Sequence, residues 1–287
     1  MTGNSKMIFQ KDAYPVAMIP YINMTPYRQL GPPAGCRLVF LVPKYSIDAL
    51  QKGQVVAAAV PVGGLPQLAK IVEPLGKFGI AAKKESMSVI FFSDRAFDKM
   101  DRTCTIHLTD DSATSVRLLY LLWVNILGRA NLPHLSGKNA SFNGELLIGD
   151  RALQRAVKIN GWGRLDSDLG GHEKERLPLV TDLAAVWHEH YKLPFVFARW
   201  VVRRDAPAAV KRILLDWLET FRSKETKLVD ACIVPTAQIL GVDAWVAKRY
   251  FKTIQRCLDE EHLLGQERFI SEYQKVKRDP LFKMDRY

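Results

Sequence analysis

The sequence predicts an α/β protein built as two lobes. Three observations carry this reading. The chain has 287 residues, more than one hydrophobic core usually serves, so two domains are expected. Its first hundred residues alternate short apolar runs with helical patterns, as parallel βαβ units do. A strong apolar run near residue 200 is then followed by helical sequence, so the chain leaves a first lobe, builds a second and returns.

Taken in order, residues 15–24 (PVAMIPYINM) read as a buried strand ending at a turn, and Pro26 disfavours helix at Thr25. Residues 37–43 form a second apolar run, 45–51 suit a short helix stopped by Gly53, and 55–61 form a third strand of small residues. Residues 88–93 (SVIFFS) continue the apolar series. Residues 103–109 (TCTIHLT) alternate with period two, as a half-buried strand does, with Cys104 in the core. Asp110-Asp111-Ser112 supplies a cap for a helix through the apolar stretch Val116 to Leu127. Residues 129–144 read as loop with room for one strand, 145–149 as strand and 150–158 as helix. The polar, glycine-rich residues 160–177 read as an exposed loop. Residues 194–204 form a strong strand, Pro207 opens a helix to about Leu228, and two or three helical segments run from Val242 to Arg278. That helical end is expected to pack on the first lobe. The division is therefore a discontinuous first lobe, 1–102 plus 195–287, and a second lobe, 103–194, with crossings near 94–102 and 195–203.

The net charge of +11 suits nucleic acid, an anionic membrane or a small anion. The basic residues are scattered, and the densest runs, Lys83-Lys84 and Lys275-Val276-Lys277-Arg278, are short. No zinc finger or aromatic RNA-binding signature occurs, so no nucleic-acid partner is expected. No window approaches the ~18 apolar residues of a membrane span, and no signal-like apolar run follows the start. Cys36, Cys104, Cys232 and Cys257 form no C-x-x-C pair. A reducing, cytoplasmic location without membrane attachment is expected. His188-Glu189-His190 has the wrong spacing for a metal site, since i and i+2 do not share a helix face and the metalloprotease pattern is H-E-x-x-H. No metal is expected. No serine elbow, P-loop or G-x-G-x-x-G is present.

Three places suit a ligand. Ser112-Ala113-Thr114-Ser115 lies at a strand-to-helix junction, where free N–H groups and the helix dipole receive an anion; a plain cap would need only one Ser. Gly149-Asp150-Arg151 ends a strand and starts a helix, on the side of an α/β sheet where ligands collect; Asp150 as a simple cap is the alternative. Asn23 follows a strand and precedes a turn proline, a position Asn favours on its own account. These residues give a two-lobed protein with an anion-binding cleft, and no reaction.

Six segments in order add a resemblance. They are Tyr21-Ile22-Asn23-Met24-Thr25-Pro26, Ala59-Val60-Pro61-Val62-Gly63-Gly64-Leu65-Pro66, Gly79-Ile80-Ala81-Ala82 with Ser88 beyond, Asp111-Ser112-Ala113-Thr114-Ser115-Val116-Arg117-Leu118-Leu119, Leu147-Ile148-Gly149-Asp150-Arg151-Ala152-Leu153, and Asp182-Leu183 through Trp187 to Leu193-Pro194-Phe195-Val196-Phe197-Ala198. From about residue 14 to about 275 the chain resembles the chorismate dehydratase family of the futalosine route to menaquinone. A sister family acting on a cyclic futalosine intermediate shares the pathway; the Tyr-Ile-Asn and Ser-Ala-Thr-Ser blocks are closer to the dehydratase. A cytoplasmic solute-binding paralogue with another aromatic or carboxylate ligand is the non-enzymatic alternative.

The resemblance implies the type II periplasmic-binding-protein fold, with a ligand cleft between lobes. It implies a hydro-lyase that takes the anionic substrate chorismate to 3-[(1-carboxyvinyl)oxy]benzoate without metal or organic cofactor, working as a monomer or homodimer. It puts Asn23 at the reacting centre, for positioning or for hydrogen bonding to the leaving group. It makes Ser88, Ser112, Thr114 and Ser115 carboxylate ligands; Asp150, at its strand end, and Arg199, where the family usually has a neutral residue, join the expected substrate-binding set on their own positions and not through the resemblance. The chain departs from the family pattern at Lys83-Lys84-Glu85, at Arg199 in the crossing strand, and in the long polar loop 160–177.

Overall fold

The computed structural model describes residues 13–128, 134–136, 141–160 and 176–275. Strand β1 (Tyr14–Met18) runs between β2 (Cys36–Phe40) and β3 (Ala57–Pro61) and parallel to both, with α1 (Thr25–Leu30) and α2 (Pro43–Gln51) in the connections. After the short α3 (Leu65–Leu68) comes the long β4 (Val72–Ala82). The chain then builds a second sheet. Its members are β5 (Val89–Ser93), β6 (Thr105–His107), β7 (His134–Leu135), β8 (Gly144–Ile148) and β9 (Leu179–Asp182), in the order β7-β6-β8-β5-β9. Helices α4 (Ala113–Asn125), α5 (Gly149–Asn160) and α6 (Leu183–Tyr191) flank that sheet. The chain returns through β10 (Phe195–Arg203), which lies antiparallel between β3 and β4. The helices α7 (Ala208–Leu240) and α8 (Ala244–Thr253), the strand β11 (Ile254–Cys257) and the helix α9 (Glu260–Lys275) complete it. The first sheet reads β11-β4-β10-β3-β1-β2. Among the described residues no single helix is long and apolar enough to cross a membrane.

The helical C-terminal third packs on the first sheet. Tyr27 of α1 stacks on Phe221 of α7 at 3.8 Å between ring centres and meets Trp200 edge-on at 5.6 Å. Such pairs contribute about 0.5–1.5 kcal/mol beyond their buried area. Helix α9 instead sits where the lobes meet. Its Phe269 packs against Phe195 and Trp187, and its Tyr273 lies under Arg117 of α4.

Several expectations change. Helix α1 does begin at Thr25, with Pro26 in its first turn; there the missing N–H has no helical partner to lose, so proline is tolerated. Strand β4 is absent from the sequence reading because Pro74, Gly76 and Gly79 interrupt it. Its partner β11 covers only Phe78 to Ala82, so Pro74 lies where the strand has an open side, the position sheets allow for proline. Helix α7 continues to Leu240 through Pro235, and β9, α6 and β11 are further elements. The crossing expected near 94–102 falls at residues 83–88, because β5 hydrogen-bonds to β8 and β9. Val89–Ser93 therefore lies in the second sheet, where the 1–102 boundary does not put it. The return crossing is at Lys192–Pro194, just ahead of β10. Of the loop 160–177, residues 161–175 lie outside the described residues, as does the basic run beyond Lys275.

Candidate functional site

A cleft opens between the two sheets. It gathers around the carboxyl ends of the parallel strands, where open α/β sheets bind ligands. Tyr21 and Asn23 follow β1, Pro61 ends β3, and Ile148 ends β8. Ile80, Phe197 and Ile254 supply apolar wall from the antiparallel strands, and Ser88, Ser112, Ser115 and Gly149 supply the second lobe's side. Among the described residues lining the cleft, none carries a charge.

Each polar group is held by its local structure. Asn23 stands in a 3-10 turn, Ile22–Met24. The residue is only 9% exposed, and its Oδ1 is buried with no hydrogen-bond partner among the described residues. An orphaned buried acceptor costs about 1–3 kcal/mol, so this one is a place for a ligand's donor. The turn is fixed on both sides. Its first N–H, from Ile22, donates to Asp150 Oδ1 at 2.8 Å, and the Asn23 carbonyl accepts from Arg256 Nε at 3.1 Å. Beside it, burial first and the negative charges of Asp111 and Asp150 next push the Tyr21 phenol far above its ordinary ionisation. Tyr21 is therefore a neutral wall.

Ser88 follows the crossing. Met87 adopts a left-handed φ of +59°, uncommon for a side chain of its size. It is held there by the half-buried Asp182 carboxylate, which accepts the N–H groups of Ser86 at 2.9 Å and Met87 at 2.7 Å while capping α6 through Ala184 and Ala185. Ser88 Oγ donates to Ser86 O at 3.3 Å and accepts from the Tyr250 hydroxyl at 3.4 Å. Ser112 caps α4: its Oγ accepts the Ser115 N–H at 3.2 Å and lies 3.1 Å from Ser115 Oγ. Helices α4 and α5 thus both begin at the cleft, and each start carries a partial positive charge of about half a unit. Gly149, the first residue of α5, has φ +64°, and a Cβ there would stand 2.9 Å from the Tyr21 ring. Only glycine lets the helix start and the aromatic wall meet this closely.

The structure brings Asn23, Ser88, Ser112 and Ser115 to one cleft and leaves three expected ligands outside it. Thr114 turns its Oγ1 to the Gly63 N–H at 3.0 Å, joining the lobes. Asp150 is engaged by Ile22, and burial raises its carboxyl pKa. Arg199 donates to Gly76 O at 2.8 Å and reaches Gln266 at 3.4 Å. Burial lowers its pKa. Register shifts between Val196 and Ala198 and between Arg199 and Val201 break the strand's alternation, so counting by twos does not place this side chain. Of the family departures, Lys83 pairs with Glu261 and Glu85 with Arg249. The sequence reading missed Tyr21 and Phe197 as cleft walls and Arg256 as a support. The first two stand inside segments already singled out; Arg256 lies on a strand with no legible pattern. Among the described residues no group of three His, Cys, Asp or Glu side chains is placed to hold a metal.

Comparison with known proteins adds family and fold. A family model described as menaquinone biosynthesis matches residues 14–275. The chorismate dehydratase of Thermus thermophilus is 26% identical over 264 residues, spanning 89% of this chain and 93% of that protein. Among solved structures, protein AF1704 from Archaeoglobus fulgidus superposes with a TM-score of 0.63 at 13% identity, covering 93% of this chain and 98% of that one. The Candida albicans CA3427 gene product, described as having the generic periplasmic binding protein fold, gives 0.58 at 12% identity, with 95% and 94% covered. At such identities the structural likeness speaks for the fold alone, and that fold is the two-lobed one described above.

Proposed function

The chain belongs to the menaquinone-biosynthesis family, and we propose that its cleft dehydrates chorismate to 3-[(1-carboxyvinyl)oxy]benzoate, as a carbon–oxygen lyase. The named relative from Thermus thermophilus supports the substrate. The observation that carries the reading is Asn23: a buried amide with an unpartnered oxygen, in an uncharged cleft onto which two helices open.

Chorismate is a dianion with a ring hydroxyl at C4. One carboxylate fits the start of α4, where Ser112 and Ser115 add hydroxyls; the other fits Ser88 and the start of α5. In the reaction the C3–H bond breaks and its electron pair becomes the new ring π bond. The C4–O bond breaks with its pair on oxygen, and proton and hydroxide leave as water. The ring becomes aromatic, so the driving force lies in the substrate. The protein holds the dianion in a reactive pose and shields it from water. Asn23 engages the C4 hydroxyl through both amide atoms: the unpartnered Oδ1 accepts its O–H in the bound substrate, and Nδ2–H donates to the oxygen, a bond that strengthens as charge builds on it in leaving. An amide is no base at ordinary pH, so the C3 proton goes to a carboxylate of the substrate itself.

Incubating the purified protein with chorismate and following ultraviolet absorbance and product mass tests this. The expected product is one water lighter and aromatic. Unchanged chorismate, or tight binding of a cyclic futalosine in its place, would overturn the assignment.

A further inference from the structure

We propose that Asp150 and Arg256 are positioning residues, a two-sided clamp on the Ile22–Asn23 turn that sets the direction of the Asn23 amide. The inference deepens the proposed dehydration, because it rests on Asn23 acting at the leaving hydroxyl. Neither charged group lines the cleft. Asp150 grips the Tyr21–Ile22 peptide, one residue ahead of Asn23, and Arg256 grips the Asn23–Met24 peptide that leaves Asn23's Cα. Asp150, at the start of α5 in the second lobe, accepts the Ile22 N–H at 2.8 Å. That N–H opens a 3-10 turn whose capping position, Tyr21, offers no side-chain hydrogen bond, and the first N–H groups of a helical turn have no partner within it. Arg256, on β11 in the first lobe, is 1% exposed and donates Nε to the Asn23 carbonyl at 3.1 Å. It is itself held by Ile254 O at 3.1 Å, by Glu225 at 3.5 Å and over the Phe251 ring at 5.6 Å. Arg28 donates to the Tyr21 carbonyl at 2.7 Å and the Met24 N–H to the same oxygen at 3.0 Å, which closes the turn. Rotating the Asn23–Met24 peptide swings the Asn23 side chain directly, and tilting the Tyr21–Ile22 peptide moves the residue that carries it, so an acceptor from one lobe and a donor from the other fix its amide without touching substrate.

The test compares Asp150→Ala, Asp150→Asn and Arg256→Met, each alone and combined with Asn23→Ala. Asp150→Ala should lower kcat for chorismate at least about tenfold with KM within about twofold, the scale of one hydrogen bond to a charged group lost from positioning. Asp150→Asn keeps an oxygen acceptor and should regain most of that loss. In the Asn23→Ala background, Asp150→Ala should add nothing, since there is no amide left to aim; Arg256→Met, where it folds, should behave the same way. Losses that multiply, or a wild-type kcat for Asp150→Ala, would overturn the clamp. A second readout is independent of turnover. By nuclear magnetic resonance the Ile22 amide should exchange with solvent faster in Asp150→Ala than in wild type or Asp150→Asn, and the Asn23 side-chain amide signal should move. If wild type leaves chorismate untouched, the proposed function fails while these signals still judge the clamp; unchanged Ile22 exchange and an unmoved Asn23 signal would overturn it.

Discussion

At the scale of the residue, the proposed chemistry depends on what single polar groups can do once buried. Asn23→Ala should reduce turnover about 100- to 1000-fold, the range for losing one preorganised donor at a developing oxyanion, and reduce substrate affinity much less. Asn23→Asp removes the donor and sets a negative charge beside a dianion, so it should fare worse than Ala. Melting temperature measured alongside separates this from a turn-shaping role, in which Ala would lose stability and keep its rate. Ser112→Ala should weaken chorismate binding by about 1–2 kcal/mol in a calorimetric titration. Asp150 adds a pH dependence. Its folded pKa is raised by burial above the ordinary 3.8, so its contribution to stability is fully present below that value and is lost as pH rises through the folded pKa. Asp150→Asn removes the titration, and its melting temperature relative to wild type should climb as pH rises from about 4 toward neutrality. Residue types with a role at any strand end, Asn and Ser, were visible in the sequence. The partners of Thr114, Asp150 and Arg199 were not, because they come from the facing lobe, or, for Arg199, from α9 and a register shift that no local pattern records.

At the scale of the element, the turn after β3 is one of the places where the lobes touch. Gly63 donates its N–H to Thr114 Oγ1 at 3.0 Å and accepts from Arg117 at its carbonyl. A Cβ on Gly63 would stand 2.9 Å from Arg117 Nη1 and 3.3 Å from Thr114 Cα. Its φ is not left-handed, so alanine there strains no backbone and acts only as a wedge. Gly63→Ala should therefore cost about 1–3 kcal/mol of overpacking at this lobe contact, read as a lower melting temperature; an unchanged melting temperature would refute the wedge. The elements that sequence made legible were those with unbroken apolar runs or clear caps: β1, β3, β5, α4 and β10. Strand β4 was hidden by its proline and glycines, and β11 by being four residues long and half charged or polar. Both lie on the far side of the first sheet, and β11 brings Arg256 to Asn23. The support of the site was thus the least legible part of it.

At the scale of the whole molecule, charge and cleft divide the work. Under the proposed reading, the net charge of +11 would attract a dianion from a distance, while neutral hydroxyls and helix starts in the cleft would hold it. Steering by diffuse charge is screened over about 8–10 Å at moderate salt, so kcat/KM for chorismate should fall as ionic strength rises while kcat stays level; a salt-independent kcat/KM would mean the surface charge has no part in capture. The most direct measurement of the central claim uses chorismate carrying deuterium at ring C3, incubated with the wild-type protein and with Asn23→Ala, and follows product mass. The account predicts an aromatic product from wild type that has lost both the C4 oxygen and the C3 deuterium, formed far more slowly by Asn23→Ala. Product that keeps the deuterium, or substrate returned intact by wild type, would contradict it.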